Sequence, residues 1–326
     1  MKKNRIFCKK IVLLIAVFTA VNMYAKRFSY IENKLGGDFK LVFYTSDKNS
    51  ADALAIETYL YVDSLNKIFS NYLKSSEISI LNKKRKITNP SNELIQILKY
   101  AQIAFNKTDG YFDISIQPLI NLWNKAGDKG KYPTKKCIRK YGDRIGLPKV
   151  LKIENNSYLL NKKSELQLGG IAKGYIIDKV YQFLKNKKFK SFLIEAAGDI
   201  RVYGNPENAK YWTVGVSANK YTNYSVNLKS GQAIATSGKT YRYKIIEGKK
   251  YSHIINPKNL MPVIHNYTSS VIATSATTAD YLASTFNIVT DKIEINTILN
   301  KHSNVELLLF NNNGIFFETT HFFNNK

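Results

Sequence analysis

A pair of adjacent glycines, Gly169 and Gly170, joins an extended polar segment to a helical pattern. Lys173 and a third glycine, Gly174, precede the apolar positions of that helix. Adjacent glycines let a backbone approach a bulky group, and a helix start offers unpaired N–H groups and the positive end of its dipole. The stretch therefore fits a diphosphate-binding loop or a helix entry whose glycines serve packing. It matches neither the GxxxxGK[ST] loop nor the GxGxxG fingerprint.

The chain has 326 residues, enough for one large domain or two small ones, and it shows no internal repeat and no second domain boundary. Residues 124–145 are rich in Lys and Gly, which predicts a surface excursion. A short helix is expected after Ser75 or Ser76, as candidate N-cap. Periodicity predicts longer helices over 51–73, 91–107, 174–187 and 277–289. It predicts strands over 39–45, 192–195, 200–204, 212–217, 225–228, 233–236, 242–247, 248–251, 270–273, 305–310 and 315–319, with a polar turn at 236–239.

The first 25 residues have the pattern of an export signal. Basic residues precede an apolar run over 11–21, which is short for a membrane span, and Ala25 suits the last position of a cleaved signal. An uncleaved N-terminal anchor is the alternative. Cys8 lies before the apolar run, where a lipidated cysteine does not stand. We expect residues 26–326 to be exported, either periplasmic or attached to the outer face of the cytoplasmic membrane.

Composition limits the classes of partner and site. Once the signal is removed, Cys137 is the only cysteine, which excludes an intramolecular disulfide and a Cys-based zinc site. The formal net charge is +25, and the lysines are spread in short groups without a long basic arm. Such a distribution is typical of a solvated surface that attracts anionic ligands and lipids, and we expect no nucleic-acid partner.

Four polar residues carry possible chemistry. Asp280 and Ser284 share a helix face, where a carboxylate and a hydroxyl can hold a hard cation such as Mg²⁺ or can simply be solvated. His253 stands at a turn, where it is a general base, a substrate contact or a structural residue. Asp113 follows a glycine turn, and its local sequence favours an Asx-type cap on the next helix.

Taken together and in order, these signals resemble the ApbE family, the FAD:protein FMN transferases. The resemblance covers nearly all of the chain after the signal. It rests on the following blocks: 76–79 with 81–82, 111–113 with 118–123, 168–174, 196–200, 235–238, 251–257 and 279–284.

The resemblance implies a reaction and a fold. Such enzymes split the diphosphate of FAD, attach FMN through a phosphoester to a Thr or Ser hydroxyl of a target flavoprotein, and release AMP. The targets are typically subunits of membrane electron-transfer complexes that face the periplasm, so association with the membrane is expected. The fold is expected to be α+β, with a mixed β-sheet core, flanking helices and a cofactor cleft between two halves of one domain.

The resemblance also assigns residues. Mg²⁺ is expected on the backbone carbonyl of Gly170 and on the side chains of Asp280 and Ser284. His253, Asp280 and Asp199 are the candidates for accepting the proton of the acceptor hydroxyl. FAD contacts are expected from Leu35, Tyr72, Tyr111, Phe112, Asp113, Gln167, Lys173 and Ile254.

Three positions depart from the family pattern. Gln167 replaces the Asp of most members, so the hydrogen bond or charge of that Asp is not carried over. Glu195 and Ala197 replace the usual Asn and Gly. Gln167 and Glu195 motivate one rival, a protein that binds FAD or hydrolyses it slowly with little transfer. A second rival, a basic surface adhesin or nucleic-acid binder, predicts salt-sensitive polyanion binding and no stabilisation by FAD.

Overall fold

The computed structural model describes residues 25–217, 223–238, 243–311 and 313–323. The export signal expected over residues 1–25 therefore lies outside the described residues, apart from Ala25. The helices are α1 (Lys48–Phe69), α2 (Glu77–Lys84), α3 (Asn92–Lys107), α4 (Gln117–Lys129), α5 (Lys135–Gly142), α6 (Leu147–Val150), α7 (Ala172–Asn186), α8 (Ala276–Phe286) and α9 (Lys292–Asn300). Among the described residues, no helix combines the length and hydropathy needed to cross a bilayer.

An eight-stranded sheet forms the centre of the fold, in the order β1-β2-β6-β7-β10-β15-β16-β17. Each of its neighbouring strand pairs is antiparallel. The strands are β1 (Lys26–Lys34), β2 (Gly37–Thr45), β3 (Lys86–Thr88), β4 (Leu151–Glu154), β5 (Ser157–Leu160), β6 (Phe192–Ala196), β7 (Asp199–Tyr203), β8 (Trp212–Ser217), β9 (Asn223–Leu228), β10 (Ala233–Gly238), β11 (Tyr243–Ile246), β12 (Lys249–Ser252), β13 (Ile255–Asn256), β14 (Met261–Pro262), β15 (Thr268–Ala273), β16 (Glu306–Asn311) and β17 (Gly314–Glu318). The expected α+β fold is confirmed, but the central sheet is antiparallel throughout rather than mixed.

The two faces of the sheet bury different layers. Along β2, Phe39, Leu41 and Phe43 pack into the main core with α1, α7 and α8, whereas Val42 points to the other face. This alternation follows from the two-residue period of a strand. The second face is covered by the β8–β9 hairpin, which contributes Trp212 among others. The helices therefore lie on one face, where they can line a cleft.

Polar caps set several helix starts that the sequence predicted. The hydroxyls of Ser76 and Ser91 accept the N–H groups of Ser79 and Leu94. Capping residues of this kind satisfy N–H groups that a helix leaves unpaired. The start of α7 differs, because its cap residue Ile171 makes no side-chain hydrogen bond.

Some predicted boundaries were wrong. Helix α1 ends at Phe69, because the hydroxyl of Ser70 accepts the N–H groups of Tyr72 and Leu73 in a turn. Tyr72, which lies inside the helix predicted over 51–73, is outside α1 and is 92% exposed. Residues 236–238 belong to β10 rather than to a polar turn.

The stretch over 124–145 lies mostly at the surface, as expected, but it is not irregular. It contains the end of α4 and all of α5, whose Ile138 is buried against Trp123 in a third apolar cluster. The sequence did not predict α5, because its few apolar positions stand among lysines. Strand β1 and helix α9 were not predicted. Strand β1 is largely exposed, so it lacks the apolar alternation that marks a half-buried strand.

Candidate functional site

One large cleft, with a volume of about 2070 Å³, opens on the helical side of the sheet. Its walls come from the turn after α1, helix α2, the loop before α4, the start of α7 and the loop after β12. Eleven predicted site residues line it: Leu35, Tyr72, Tyr111, Phe112, Asp113, Gln167, Gly170, Lys173, His253, Ile254 and Ser284. The remaining two, Asp199 and Asp280, are 2% and 5% exposed and do not line the cleft. The structure thus brings the predicted residues to one region, and their roles stay predictions.

Lys173 connects the cleft to the buried acids. Its ammonium donates to Oδ2 of Asp199, at the start of β7, and its side chain is 28% exposed. Burial alone would lower the pKa of Lys173, but the negative charges of Asp199 and Asp280 raise it. Lys173 therefore remains cationic, with part of its charge already neutralised by an acid behind it.

Asp280 is held by the helix entry that contains the glycines. The backbone N–H of Gly174 donates to its Oδ2 at 3.0 Å. Burial raises the pKa of Asp280 to about 7, and the nearby charge of Asp199 acts in the same direction. The charge of Lys173 opposes this shift. Asp280 is thus a carboxylate whose ionised form is costly without a further cation.

Gly174 explains why α7 can lie so close to α8. A Cβ atom at Gly174 would come within 2.2 Å of the carbonyl oxygen of Ala276 and 2.8 Å of the Cβ of Asp280. No side chain fits this contact. The packing interpretation of the glycine stretch is therefore confirmed at this position.

Gly170 lies beside Ser284. A Cβ atom at Gly170 would be 3.2 Å from Oγ of Ser284 and 3.1 Å from the ring of Phe112. Asp280 lies one turn before Ser284 on α8, so the three expected metal-binding residues meet at the start of α7. Carboxylate, hydroxyl and carbonyl oxygens are donors that Mg²⁺ prefers, so the residues fit this ion. Within the described ranges, no group of three or more His, Cys, Asp or Glu side chains could hold a metal.

Asp113 organises its own loop. Its Oδ1 accepts the N–H and hydroxyl of Ser115 at 2.8 and 2.7 Å, and its Oδ2 accepts the N–H of Gly146 at 2.9 Å. Burial raises the pKa of Asp113, while these hydrogen bonds oppose the shift. The Asx turn is confirmed, but the cap is not, since α4 begins after Ile116 without a side-chain cap.

Tyr111 is tied to helix α9. Its hydroxyl donates to Oε2 of Glu294 at 2.7 Å, and the ammonium of Lys258 lies 4.0 Å from its ring centre. Cation–ring contacts at this distance are attractive. Glu294 and Lys258 were missed, because a hydrogen bond between elements so far apart leaves no local pattern in the sequence.

Two asparagines hold the segment that enters the glycine stretch. Asn82 donates to the carbonyl of Leu166 and accepts its N–H, both at 2.8 Å. Asn71 donates to the same carbonyl at 2.8 Å and accepts the N–H of Leu168 at 3.1 Å. The side chains thus act as a strand would, pairing with an extended backbone. Asn82 belongs to a recognised sequence block, which was the only signal that could have found it.

Gln167 and Ala197 show what the departures from the family pattern do. The Oε1 of Gln167 accepts the N–H of Gly169 at 3.0 Å, so this amide folds over the glycine pair. Ala197 lines the cleft with a φ of 48°, in the left-handed region that favours glycine. Glu195 lies 3.8 Å from the ammonium of Lys40 on the neighbouring strand β2.

Comparison with known proteins places the chain in a family. The sequence model of the ApbE family matches residues 35–309. The FAD:protein FMN transferase of Haemophilus influenzae is 27% identical over 285 residues, covering 83% of this chain and 81% of that protein. That of Buchnera aphidicola is 30% identical over 231 residues, covering 67% and 68%.

Solved structures agree in fold. The ApbE protein of Thermotoga maritima has a TM-score of 0.80 at 26% identity, covering 92% of this chain and 100% of that one. The apo flavinyl transferase ApbE of Pseudomonas stutzeri has a TM-score of 0.80 at 20% identity, covering 93% and 98%. Since the family match spans most of the sequence and the fold agrees along it, the chain belongs to the ApbE family of transferases.

Proposed function

We propose that the protein transfers FMN from FAD to a Thr or Ser hydroxyl of a target flavoprotein, forming a phosphoester and releasing AMP. The observation that carries this proposal is the meeting of Gly170, Ser284, Asp280 and Lys173 at one end of a large cleft. The curated relatives of the chain are named for this reaction.

The size of the cleft supports a reaction between two large partners. Sites for a single small ligand typically have volumes of about 300–1,000 Å³. The cleft measures about 2070 Å³ and is open to solvent on one side. It therefore leaves room for a dinucleotide together with a segment of an acceptor protein.

The cation-binding residues define where the diphosphate lies. We propose that Asp280, Ser284 and the carbonyl of Gly170 hold Mg²⁺, with phosphate and water oxygens as the remaining ligands. When bound there, the ion would neutralise the charge of the diphosphate. Lys173 and the N–H groups at the start of α7, which has no side-chain cap, would stabilise the same charge.

We propose that His253 accepts the proton of the acceptor hydroxyl. It lines the cleft, whereas Asp199 is buried and engaged with Lys173. Asp280 is buried and is assigned to the cation. A neutral imidazole can accept the hydroxyl proton as the phosphoester forms. We infer that Asp199 orients Lys173 instead.

The basic start and the apolar run of residues 1–25 support export. β1 begins at Lys26, directly after the expected cleavage position at Ala25. We propose that the mature protein begins there and works in a periplasm or at the outer face of the cytoplasmic membrane, on a subunit of a membrane electron-transfer complex. Cell fractionation and the N-terminal mass of the mature protein test this; a protein that stays in the cytoplasm with an intact N-terminus contradicts it.

The transfer reaction is tested with the purified chain, FAD, MgCl₂ and a candidate acceptor domain. Mass spectrometry should detect an acceptor whose mass has increased by that of FMN less one water, together with AMP in the solution. An acceptor in which the target Thr or Ser is replaced by Ala is the matched control and should stay unmodified. AMP and free FMN without an acceptor adduct would favour the rival, an FAD-hydrolysing protein.

A further inference from the structure

Asp178 on α7 accepts four hydrogen bonds, and three of them come from the start of α8. Its Oδ1 accepts the backbone N–H of Ala276 at 2.8 Å. Its Oδ2 accepts the N–H and the hydroxyl of Thr277 at 2.9 and 2.6 Å. Ala276 and Thr277 are the first residues of α8, whose N–H groups have no partner within the helix. Asp178 therefore links the beginning of α8 to the body of α7 by hydrogen bonds.

Arg201 on β7 binds the same carboxylate from the side of the sheet. Its Nη1 donates to Oδ1 of Asp178 at 2.5 Å, and its Nη2 donates to the carbonyl of Thr274 at 2.8 Å. Its guanidinium carbon lies 3.7 Å from the ring centre of Tyr181. The side chains of Arg201 and Asp178 are 10% and 16% exposed, so water screens the pair weakly. Two helices and one strand thus meet at a charged, largely buried junction.

Asp178 and Gly174 are four residues apart on α7 and share its face toward α8. Gly174 contacts Asp280 and admits Ala276 at close range, while Asp178 holds the first turn of α8. Helix α8 is therefore fixed at two levels, which sets both its rotation and its position along its axis. Any rotation would carry Asp280 and Ser284 away from Gly170 together.

We propose that Asp178, held by Arg201, is a positioning residue for the Mg²⁺ site. It sets the orientation of α8, so that Asp280 and Ser284 face Gly170, without contacting the cation itself. This inference rests on the proposed function, since it needs the metal site at these residues.

The test is the Mg²⁺ affinity of the full chain without FAD, measured by calorimetry and by thermal unfolding at increasing MgCl₂. Removing an outer partner of a metal ligand typically costs 10–100-fold in metal affinity. Asp178→Asn should therefore raise the half-saturating Mg²⁺ concentration by about tenfold. Asp47→Asn is the matched control, because Asp47 caps α1 through the N–H of Ser50 and does not line the cleft. It should leave the half-saturating concentration unchanged.

A second, milder variant keeps the proposal testable if Asp178→Asn fails to fold. Asp178→Asn leaves the Arg201 charge without a carboxylate, whereas Thr277→Val keeps that ion pair and deletes only the hydroxyl bond. Its half-saturating concentration should lie between those of the parent and Asp178→Asn. A merely structural role would lower the unfolding temperature and leave the Mg²⁺ affinity of the folded protein as it was.

The outcomes separate the two proposals. If the parent binds Mg²⁺ and Asp280→Asn abolishes that binding, the metal site stands. The positioning role is then overturned if the folded Asp178 and Thr277 variants bind Mg²⁺ within about twofold of the parent, or if the Asp47 control shifts equally. If the parent shows no Mg²⁺ binding, the metal site itself is refuted, and the positioning role with it.

Discussion

The backbone N–H of Gly174 donates to a carboxylate oxygen of Asp280 at 3.0 Å, at the point where α7 and α8 lie closest. The bond joins two segments that are far apart in the sequence and both contribute to the candidate metal site. It gives the third glycine of the stretch a role distinct from that of the first two. Gly169 and Gly170 line the cleft, whereas Gly174 lets the second helix reach it.

Gly174→Ala should force α7 and α8 apart, because the new Cβ would come within 2.2 Å of the carbonyl oxygen of Ala276. Overpacking of this kind costs about 1–3 kcal/mol, and here it should also weaken Mg²⁺-dependent transfer. Urea unfolding and the adduct assay measure the two effects. Gly215→Ala is the control, since a Cβ there meets no atom within 4 Å. Equal stability of the two variants would contradict the close contact.

Lys173→Met should lower stability and weaken FAD binding. Asp199, which is 2% exposed, would lose its cation. Breaking a fully buried pair costs about 3–5 kcal/mol, and the partial exposure of Lys173 reduces this to about 2–3 kcal/mol. The double variant with Asp199→Asn should recover part of the stability but not the FAD affinity. Purely additive losses in this double-mutant cycle would show that the two side chains do not interact.

Tyr111→Phe should test the hydrogen bond that joins the cleft wall to Glu294 on α9. The ring stays in place, but Glu294 loses the hydroxyl donor that lies 2.7 Å away. The expected loss of stability is about 1 kcal/mol, as for a typical hydrogen bond. Adding Glu294→Gln to Tyr111→Phe should cost much less than the same change in the parent. If Glu294→Gln costs the same in both backgrounds, as denaturant titrations would reveal, the hydrogen bond contributes nothing.

Ala197→Gly should stabilise the protein despite the greater freedom of glycine in the unfolded chain. Ala197 has a φ of 48°, a conformation that costs a residue with a Cβ about 1–2 kcal/mol. Glycine loses more backbone entropy on folding, about 0.5–1 kcal/mol, so a net gain of about 0.5–1 kcal/mol remains. Ala196→Gly, on the adjacent strand residue, is the control and should destabilise. A less stable Ala197→Gly protein in guanidinium titrations would contradict the prediction.

His302 should make stability fall with acidification. Burial lowers its pKa, and the charges of Lys107 and Lys301 act in the same direction. The folded state therefore binds a proton less readily than the unfolded chain, whose histidine pKa is about 6.5. The resulting stability is present above that pH and is lost as pH falls below it. Between about pH 7.5 and 5, the parent should lose more unfolding free energy than His302→Gln. Parallel pH profiles of the two proteins would refute the assignment.

Sequence patterns predicted the elements with strong local signals. The serine that begins α2 is visible as a cap, and the apolar spacing of α3 and α8 is regular. The end of α1 was missed by several residues, because the Ser70 turn competes with a helical pattern that continues to Tyr72. Strand β1 was missed because it lies at a sheet edge and buries little.

The candidate site was only partly visible in the sequence. The sequence blocks shared with the family identified most of the predicted lining residues, since a block carries residue identity and order. They carried no information on the pairing of Lys173 with Asp199, on the tie between Asp178 and α8, or on the backbone contacts of Asn71 and Asn82. Those contacts depend on how distant segments pack, which no periodicity records.

The order of strands in the sheet has a consequence for how the protein folds. β2 pairs with β6, so all the chain between Thr45 and Phe192 forms one excursion from a single pair of neighbouring strands. Pairings between such distant residues raise the contact order and slow folding, although the entropy of closing a long loop grows only slowly with its length. Much of the cleft wall belongs to that excursion. The cleft should therefore be among the last parts to form, and recovery of FAD binding after dilution from denaturant should follow the slowest refolding phase.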